Sequence, residues 1–151
     1  MIELTVAGSN RSARVDDQFA HLVGYRWRLD KAGYVLRKAG GRRIYLHHVV
    51  LPGDRYPEFV RDHINRDKLD NQLANLRWVT QAENAQNRDP HRNNGTGYRG
   101  VMRIGKRYRA TVTLNKVIHR LGMFDDPAEA GRAAAELRRT LLPCSAEAMA
   151  A

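Results

Sequence analysis

At 151 residues the chain has room for one ordinary domain or two very small ones, and two such modules would each bury a thin core and lean on metal, on each other or on a partner for rigidity. A net charge of +10 favours polyanions, nucleic acid first and an anionic membrane surface second. No apolar run is long enough to span a bilayer, no signal-peptide pattern opens the chain, and the single cysteine, Cys144, excludes an internal disulfide and a cysteine-ligated structural zinc, so a cytoplasmic protein is expected.

Residues 1–46 read as a small β-rich leader. Ile2 to Val6 alternates weakly, as a strand does. Val15-Asp16-Asp17, followed by Phe19, Leu22 and Val23, predicts a short helix with Asp16 as its N-cap. Tyr25 to Leu29, Tyr34 to Arg37 and Arg43 to Leu46 read as strands, with Lys31-Ala32-Gly33 and Ala39-Gly40-Gly41 as turns.

Residues 47–89 hold most of the His, Asp and Asn candidates. A strand near Phe59-Val60 leads to Asp62-His63, and Leu76 to Val79 reads as a second short strand. Thr80 and Glu83 form an S/T-x-x-E capping box, which starts a helix at Thr80 and puts Asn84 in its first or second turn. A strand pair joined by a loop and followed by a helix lets Asp62, His63 and Asn84 converge where ribbon meets helix. Asp62 offers a carboxylate and Asn84 an amide carbonyl, a donor set suited to a hard divalent cation that keeps several waters. Neutral His63 beside them can take a proton from water. Taken residue by residue, the plainer reading is a polar loop in which Asp62, Asn71 and Asn75 satisfy backbone groups. One histidine beside one aspartate does not decide between the two.

Residues 90–97 are polar and glycine-rich and read as a linker. Residues 98–142 follow as a second unit. Tyr98 to Ile104, Arg107 to Leu114 and Val117 to Leu121 read as three strands, turning at Gly105-Lys106 and Asn115-Lys116. In the middle strand Arg107, Arg109, Thr111 and Thr113 point one way and Tyr108, Ala110, Val112 and Leu114 the other, one face basic and one apolar. A helix supplies the cover: Asp126 N-caps it, Pro127 stands first, and Ala130, Ala134, Leu137 and Leu141 form the stripe, with Pro143 ending it and a frayed, flexible tail over 143–151. Tyr98 to Arg120 carries seven Lys and Arg and no acid, a pattern that a polyanion partner explains better than a solvated surface does.

The order Leu46-His47-His48-Val49-Val50-Leu51, Asp62-His63-Ile64-Asn65, Asp70-Asn71, Asn75-Leu76-Arg77-Trp78-Val79-Thr80 and Glu83-Asn84 resembles the HNH endonucleases, especially the phage and intron-encoded homing type. The family triplet falls on His63, Asn75 and Asn84. The resemblance implies a ββα-metal core in which His63 is the general base, Asp62 and Asn84 hold Mg²⁺ or Mn²⁺, and Asn75 orients the loop and through it the histidine. His47 matches an upstream histidine at a strand–helix junction and is a candidate phosphate contact, with a structural role about equally open. His48 stands where the family often has arginine. Arg66 stands where a turn glycine is common, and either alters the loop or adds a contact to DNA.

Tyr98-Arg99-Gly100-Val101, Lys106 to Val112, Leu121-Gly122-Met123-Phe124 and Glu129-Ala130 look like an AP2 domain. That family lays a three-stranded sheet, backed by one helix, in the DNA major groove. The resemblance makes Arg99, Arg103, Arg107, Arg109, Thr111, Thr113 and Arg120 candidate DNA contacts, with Tyr108 in the core. Arginines that the plant versions carry near Met102 and Ile104 are missing here.

The expected fold is α+β: an HNH domain over 1–89 (leader 1–46, ββα-metal core 47–89), the linker, and an AP2-like sheet on one helix over 98–142. The module order is similar to that of mobile phage and bacterial endonucleases, and the leader, with Val15-Asp16-Asp17 and Tyr25-Arg26-Trp27, resembles theirs. The expected activity is metal-dependent hydrolysis of phosphodiesters in double-stranded DNA, by a monomer or a DNA-dependent dimer associated with the nucleoid. The alternative is a DNA-binding regulator whose nuclease core no longer cuts. An RNA-binding protein is a weaker third reading, because A-form RNA hides its major groove.

Overall fold

The computed structural model describes residues 1–53, 58–87, 93–145 and 148, and the chain divides into two compact units, Met1–Asn84 and Ala85–Ala151.

In the first unit, β1 (Ile2–Thr5) pairs antiparallel with β2 (Ser12–Val15). The second of these strands was not expected. Val15 belongs to it, and its side chain is fully buried, so it cannot open the helix that follows. That helix is a 3-10 segment, Asp17–Gly24. Asp16 does sit at its N-cap, but its carboxylate makes no cap bond. Oδ2 accepts from the backbone N–H of Leu73 at 2.7 Å, so a local signal serves a distant loop.

The run Tyr25 to Leu29 is strand only at β3 (Arg28–Leu29). Trp27 is fully buried, and its Nε1–H donates to the carbonyl of Leu22 at 3.0 Å. Next come β4 (Val35–Ala39) and β5 (Arg42–Tyr45), which complete a three-stranded antiparallel sheet in the order β3-β4-β5. Their turn is Gly40-Gly41, both at positive φ (55° and 75°), as a two-residue turn that matches strand twist requires. Leu46 opens the helix α1 (Leu46–Val50) instead of ending the strand.

The site region is built from β6 (Phe59–His63), a 3-10 turn at Leu73–Asn75, β7 (Leu76–Thr80) and the helix α2 (Gln81–Gln86). β6 and β7 form an antiparallel ribbon with Asp62 opposite Arg77 and His63 opposite Leu76. One hydrophobic cluster joins Leu4, Val15, Trp27, Val35 and Leu46 to Leu69 and Leu76. Leader, loop and ribbon therefore share a core, and the leader is the wall against which the loop after His63 is fixed.

The second unit is an antiparallel sheet of β8 (Val101–Ile104), β9 (Arg107–Leu114) and β10 (Val117–Phe124), with β9 in the middle. β8 is shorter than the expected Tyr98 to Ile104, and β10 runs on to Phe124 through a register shift between Arg120 and Gly122. Asn115 and Lys116 take positive φ (49° and 67°) in the two-residue turn. The helix α3 (Pro127–Leu141) covers one face, and the carboxylate of Asp126 accepts from Glu129 N–H at 2.9 Å, the N-cap expected from sequence. Val101, Ala110, Val112, Ala130 and Ala134 form the core, with Tyr108, Leu137 and Leu141 packed against it.

Two boundaries differ from expectation. The units part after Asn84, not after residue 89: the carbonyl of Gln86 accepts from Arg99 Nη1 at 2.5 Å and its side chain from Cys144 N–H at 3.2 Å, which groups the end of α2 with the second unit. Residues 90–92 of the expected linker lie outside the described residues, as do 146–147 and 149–151 of the expected tail. The tail does not fray at once after Pro143, since Ser145 is fully buried and its N–H donates to Leu142 at 2.8 Å.

Candidate active site and nucleic-acid face

His63 ends β6 and is buried. Its partner is Asn71, the most deeply buried polar residue of the loop. The Asn71 amide nitrogen donates to the carbonyl of Lys68 at 3.1 Å, which turns its Oδ1 toward His63 Nε2 at 3.2 Å. An amide oxygen only accepts, so Nε2 carries the proton and the lone pair of the neutral ring is on Nδ1. Burial holds the imidazole below the ordinary histidine pKa, against the Asn71 hydrogen bond and the carboxylates of Asp62, Asp67 and Asp70, which pull the other way. The result is a neutral, fixed imidazole, the form a general base needs.

Asn75 closes the loop beside it. Its Oδ1 accepts from Asn65 N–H at 2.9 Å, its Nδ2 donates to Asp70 O at 2.7 Å, and its carbonyl accepts from Ile64 N–H at 2.9 Å. One amide thus ties both ends of the turn that carries the chain away from His63. Arg66 takes φ +66° in that turn and donates its N–H to His63 O at 2.9 Å. A non-glycine in this region costs roughly 1–2 kcal/mol, so the loop holds it there against strain.

Asp62 precedes His63 on β6, and its carboxylate lies close enough to act electrostatically on both His63 and Tyr34. Its cross-strand partner Arg77 places Nε and Nη2 on one carboxylate oxygen, Oδ2, at 2.9 and 2.7 Å. Asn84, half-buried, is the fourth residue of α2 and follows the capping box directly. In that box Glu83 N–H donates to Thr80 Oγ1 at 3.2 Å, while Thr80 N–H and the Thr80 hydroxyl donate to Glu83 Oε2 at 2.8 and 2.9 Å, and these last two bonds hold the Glu83 carboxyl below the usual range. Among the described residues no three His, Cys, Asp or Glu gather as metal ligands. The donors on hand, one carboxylate and one amide carbonyl, are hard oxygens that fit a magnesium or manganese ion keeping most of its waters.

His47 is buried at the start of α1, where its ring meets those of Tyr34, Tyr45, His48 and His63 at centroid distances of 5.3, 5.6, 4.6 and 5.4 Å. Its Nδ1 is buried and has no hydrogen-bond partner among the described residues. Its pKa is pushed down to about 3, by burial first and then by His48, His63 and Arg61. The His47 ring thus lies against His63 in uncharged form, and the Tyr34 ring stands 6.1 Å from that of His63. Burial raises the Tyr34 hydroxyl, with Asp30, Asp62 and Tyr45 adding to it. Sequence reasoning missed Tyr34 and gave Asn71 and Arg77 no role at the site. The Asp62–Arg77 pair was within reach of a register argument across the ribbon, whereas nothing in the spacing marks Asn71 or Tyr34 as a neighbour of His63.

In the second unit the register sorts the arginines. The face away from α3 carries Arg107, Arg109, Thr111 and Thr113 of β9, with Met102 and Ile104 of β8 and Ile118, Arg120 and Met123 of β10 opposite them. Met102, Ile104, Ile118 and Met123 are exposed there. Arg103 pairs with Tyr108 and so belongs to the other face, where its Nε donates to Gly105 O at 3.0 Å. Arg99 donates to the carbonyls of Gln86 and Ala85, a structural engagement inside the unit. The expected contacts thus divide: Arg107, Arg109, Thr111, Thr113 and Arg120 share one open face, and Arg99 and Arg103 do not.

A buried histidine at the end of a strand, a loop tied by asparagines and a capped helix after the ribbon coincide with a family match. Residues 52–86 match the family described as HNH endonuclease. The chain is also 28% identical over 109 residues to a protein of Acanthamoeba polyphaga mimivirus described as an uncharacterized HNH endonuclease. That alignment covers 70% of this chain and 56% of the relative, so the chain spans little more than half of the length of the protein it matches. No solved structure matches it significantly. Both findings support a nuclease.

Proposed function

We propose that the chain is a metal-dependent DNA endonuclease of the homing type, which hydrolyses phosphodiester bonds in double-stranded DNA and docks the open face of the β8–β9–β10 sheet in the major groove, as an AP2 domain does. The observation that carries the reading is the His63–Asn71 hydrogen bond, which leaves a buried neutral imidazole with its lone pair on Nδ1. In this reading Nδ1 takes the proton of the attacking water. Asn75 keeps the turn after His63 in place, and His47 and Tyr34 pack the ring from behind. Asp62 and Asn84 would hold the ion, and Arg77 fixes the orientation of the Asp62 carboxylate. Magnesium or manganese, when bound, supplies stabilisation of charge developing on the phosphate and the leaving oxygen. The ends left are a 5′-phosphate and a 3′-hydroxyl, as the family implies. Arg109 and Arg120, with the threonines between them, grip phosphates or guanine edges.

The test is a plasmid-nicking assay with Mg²⁺ or Mn²⁺, with and without EDTA. His63→Ala should cut the rate by about 10²–10⁴ while leaving DNA binding intact. Equal cutting by the two proteins removes His63 from the role of base. One observation favours a second reading, a DNA-binding regulator that does not cut: the Arg77 guanidinium occupies the same carboxylate that would hold the cation. Duplex binding without metal-dependent cutting, in the wild type and in Arg77→Ala, would establish it.

A further inference from the structure

We propose that one face of the β3–β4–β5 leader sheet is a second binding surface for the sugar–phosphate backbone of duplex DNA, one that leads the strand toward His63. The proposal rests on the reading that the chain acts on DNA. It does not use the sheet of the second unit.

The face is defined by register. Arg28 lies opposite Leu36 and Lys38 opposite Arg43, and positions 36 and 38 point to the same side of β4. With Arg26 and Lys31 these side chains line a groove of about 690 Å³. All five cations are exposed, and none makes an ion pair among the described residues. The acid in the groove wall is Asp30, and its carboxylate is already engaged: Oδ1 accepts from Ala32 N–H and Tyr34 N–H, both at 2.9 Å, and Oδ2 lies 3.4 Å from the Tyr45 hydroxyl.

Two like charges directly opposite one another on paired strands destabilise a sheet. Other cations of this unit are paired or stacked: Arg14 with Asp67 and Asp70, Arg77 with Asp62, Arg37 over Tyr25, Lys68 over Tyr34. The Lys38–Arg43 pair has no such relief among the described residues. A polyanion lying over the pair supplies it. The site's own geometry gives a direction as well. A smaller cavity of about 240 Å³ shares Asp30 and Ala32 with the groove and continues to Tyr34, Tyr45 and His47. Tyr34 and His47 are the rings that pack on His63. Among the described residues no aromatic ring lines the groove, and five flexible cations without a stacking platform suit phosphates better than bases.

The experiment is fluorescence anisotropy of the full chain with a labelled mixed-sequence duplex, in EDTA to prevent cutting, over a series of salt concentrations. Lys38→Gln/Arg43→Gln should weaken binding roughly tenfold or more at low salt and make the slope of log K against log salt shallower by about 1.8, the release of two counterion equivalents. The melting temperature of the free variant should be unchanged or higher, because the like-charge contact is gone. Unchanged affinity and slope in a folded variant overturn the proposal, while wild-type binding stands and the endonuclease reading survives. A loss of binding with a lowered melting temperature also overturns it, by making the pair structural. So does binding to phosphatidylserine vesicles that falls in the variant while duplex binding does not. A wild type that binds no duplex at all sinks this inference and the endonuclease reading together.

Discussion

Around His63, in the unit Met1–Asn84, Asn71, Asn75 and Asp62 are buried, and with the half-buried Arg77 they form hydrogen bonds inside the protein. On the open sheet face of Ala85–Ala151, Arg120 and Thr113 stand in solvent over a plain apolar core of Val101, Ala110 and Val112. The difference follows from the tasks proposed for them. A base that must keep one tautomer needs partners fixed in a low-dielectric setting, where an unmade hydrogen bond is expensive. A face that grips phosphates needs cations that are free to exchange water and counterions for the ligand. Perturbing the buried surroundings of His63 should therefore disturb chemistry and stability together, and perturbing the open face should change affinity alone.

The largest effect should come from the backbone beneath the binding face, where that separation ends. Gly100 has φ +77°, and a methyl group there would overlap the carbonyl oxygen of Thr111, whose N–H donates to Gly100 at 2.8 Å. Gly100→Ala combines left-handed strain with a clash against backbone, a cost on the order of 3 kcal/mol. Chemical denaturation should show the second unit lose stability while the first keeps its own transition. Two transitions unchanged from wild type would mean that the β8–β9 junction tolerates a side chain.

Next comes the tautomer. Asn71→Leu keeps the volume and removes the amide that holds Nε2–H. The nicking rate should fall about 10- to 100-fold, the usual scale for a group that orients a catalytic residue. Duplex affinity should stay level. A fall in affinity equal to the fall in rate would show that Asn71 only supports the fold.

The contrast between the units is also a contrast in what the sequence reveals. The second unit was legible because its signals are local: alternation in Arg107 to Leu114, two-residue turns, an Asp126 cap and a stripe of alanines and leucines each decide a few neighbouring residues. The Thr80–Glu83 box and the β6–β7 ribbon were legible for the same reason. The strand Ser12–Val15 and the short reach of β3 were not, because Val15 and Trp27 are placed by burial in a shared core rather than by pattern. Asn71 reaches His63 across eight residues only once Leu69 and Leu76 are packed on the leader, and Tyr34 arrives from the residue just before β4, far off in sequence. Family resemblance marked His63, Asn75 and Asn84, but the surroundings that make the imidazole neutral are tertiary. Arg103 shows the converse: a sequence rich in arginine names it with the others, and only the register puts it on the wrong side.

Acid should separate the units further. His47 has its pKa pushed down to about 3 in the folded protein, from an ordinary value of 6.5. Between those values the unfolded chain binds a proton that the folded chain does not, so stability is full above about pH 6.5 and is lost as pH falls toward 3. His63, shifted in the same direction, adds to the slope. Each such histidine contributes at most about 1.4 kcal/mol per pH unit within its window. Denaturation midpoints followed from pH 7 to pH 4 should drop for the first unit and drop less steeply in His47→Phe. Parallel curves for the wild type and the variant would place the acid sensitivity elsewhere.

The smallest predicted effect is the most discriminating for the open face. Arg109 and Arg103 are near neighbours in the same sheet and carry the same charge, so a field that merely depends on net charge would lose the same affinity from either one. Register separates them: Arg109 faces away from α3 alongside Met102 and Met123, whereas Arg103 pairs with Tyr108 and bonds Gly105. Arg109→Gln should weaken duplex binding several-fold and reduce the salt slope by about 0.9, one phosphate contact, and Arg103→Gln should leave both nearly unchanged. Equal losses from the two would mean that the duplex senses the sheet as a diffuse positive charge, and that the sorting of arginines by face has no bearing on how the chain holds DNA.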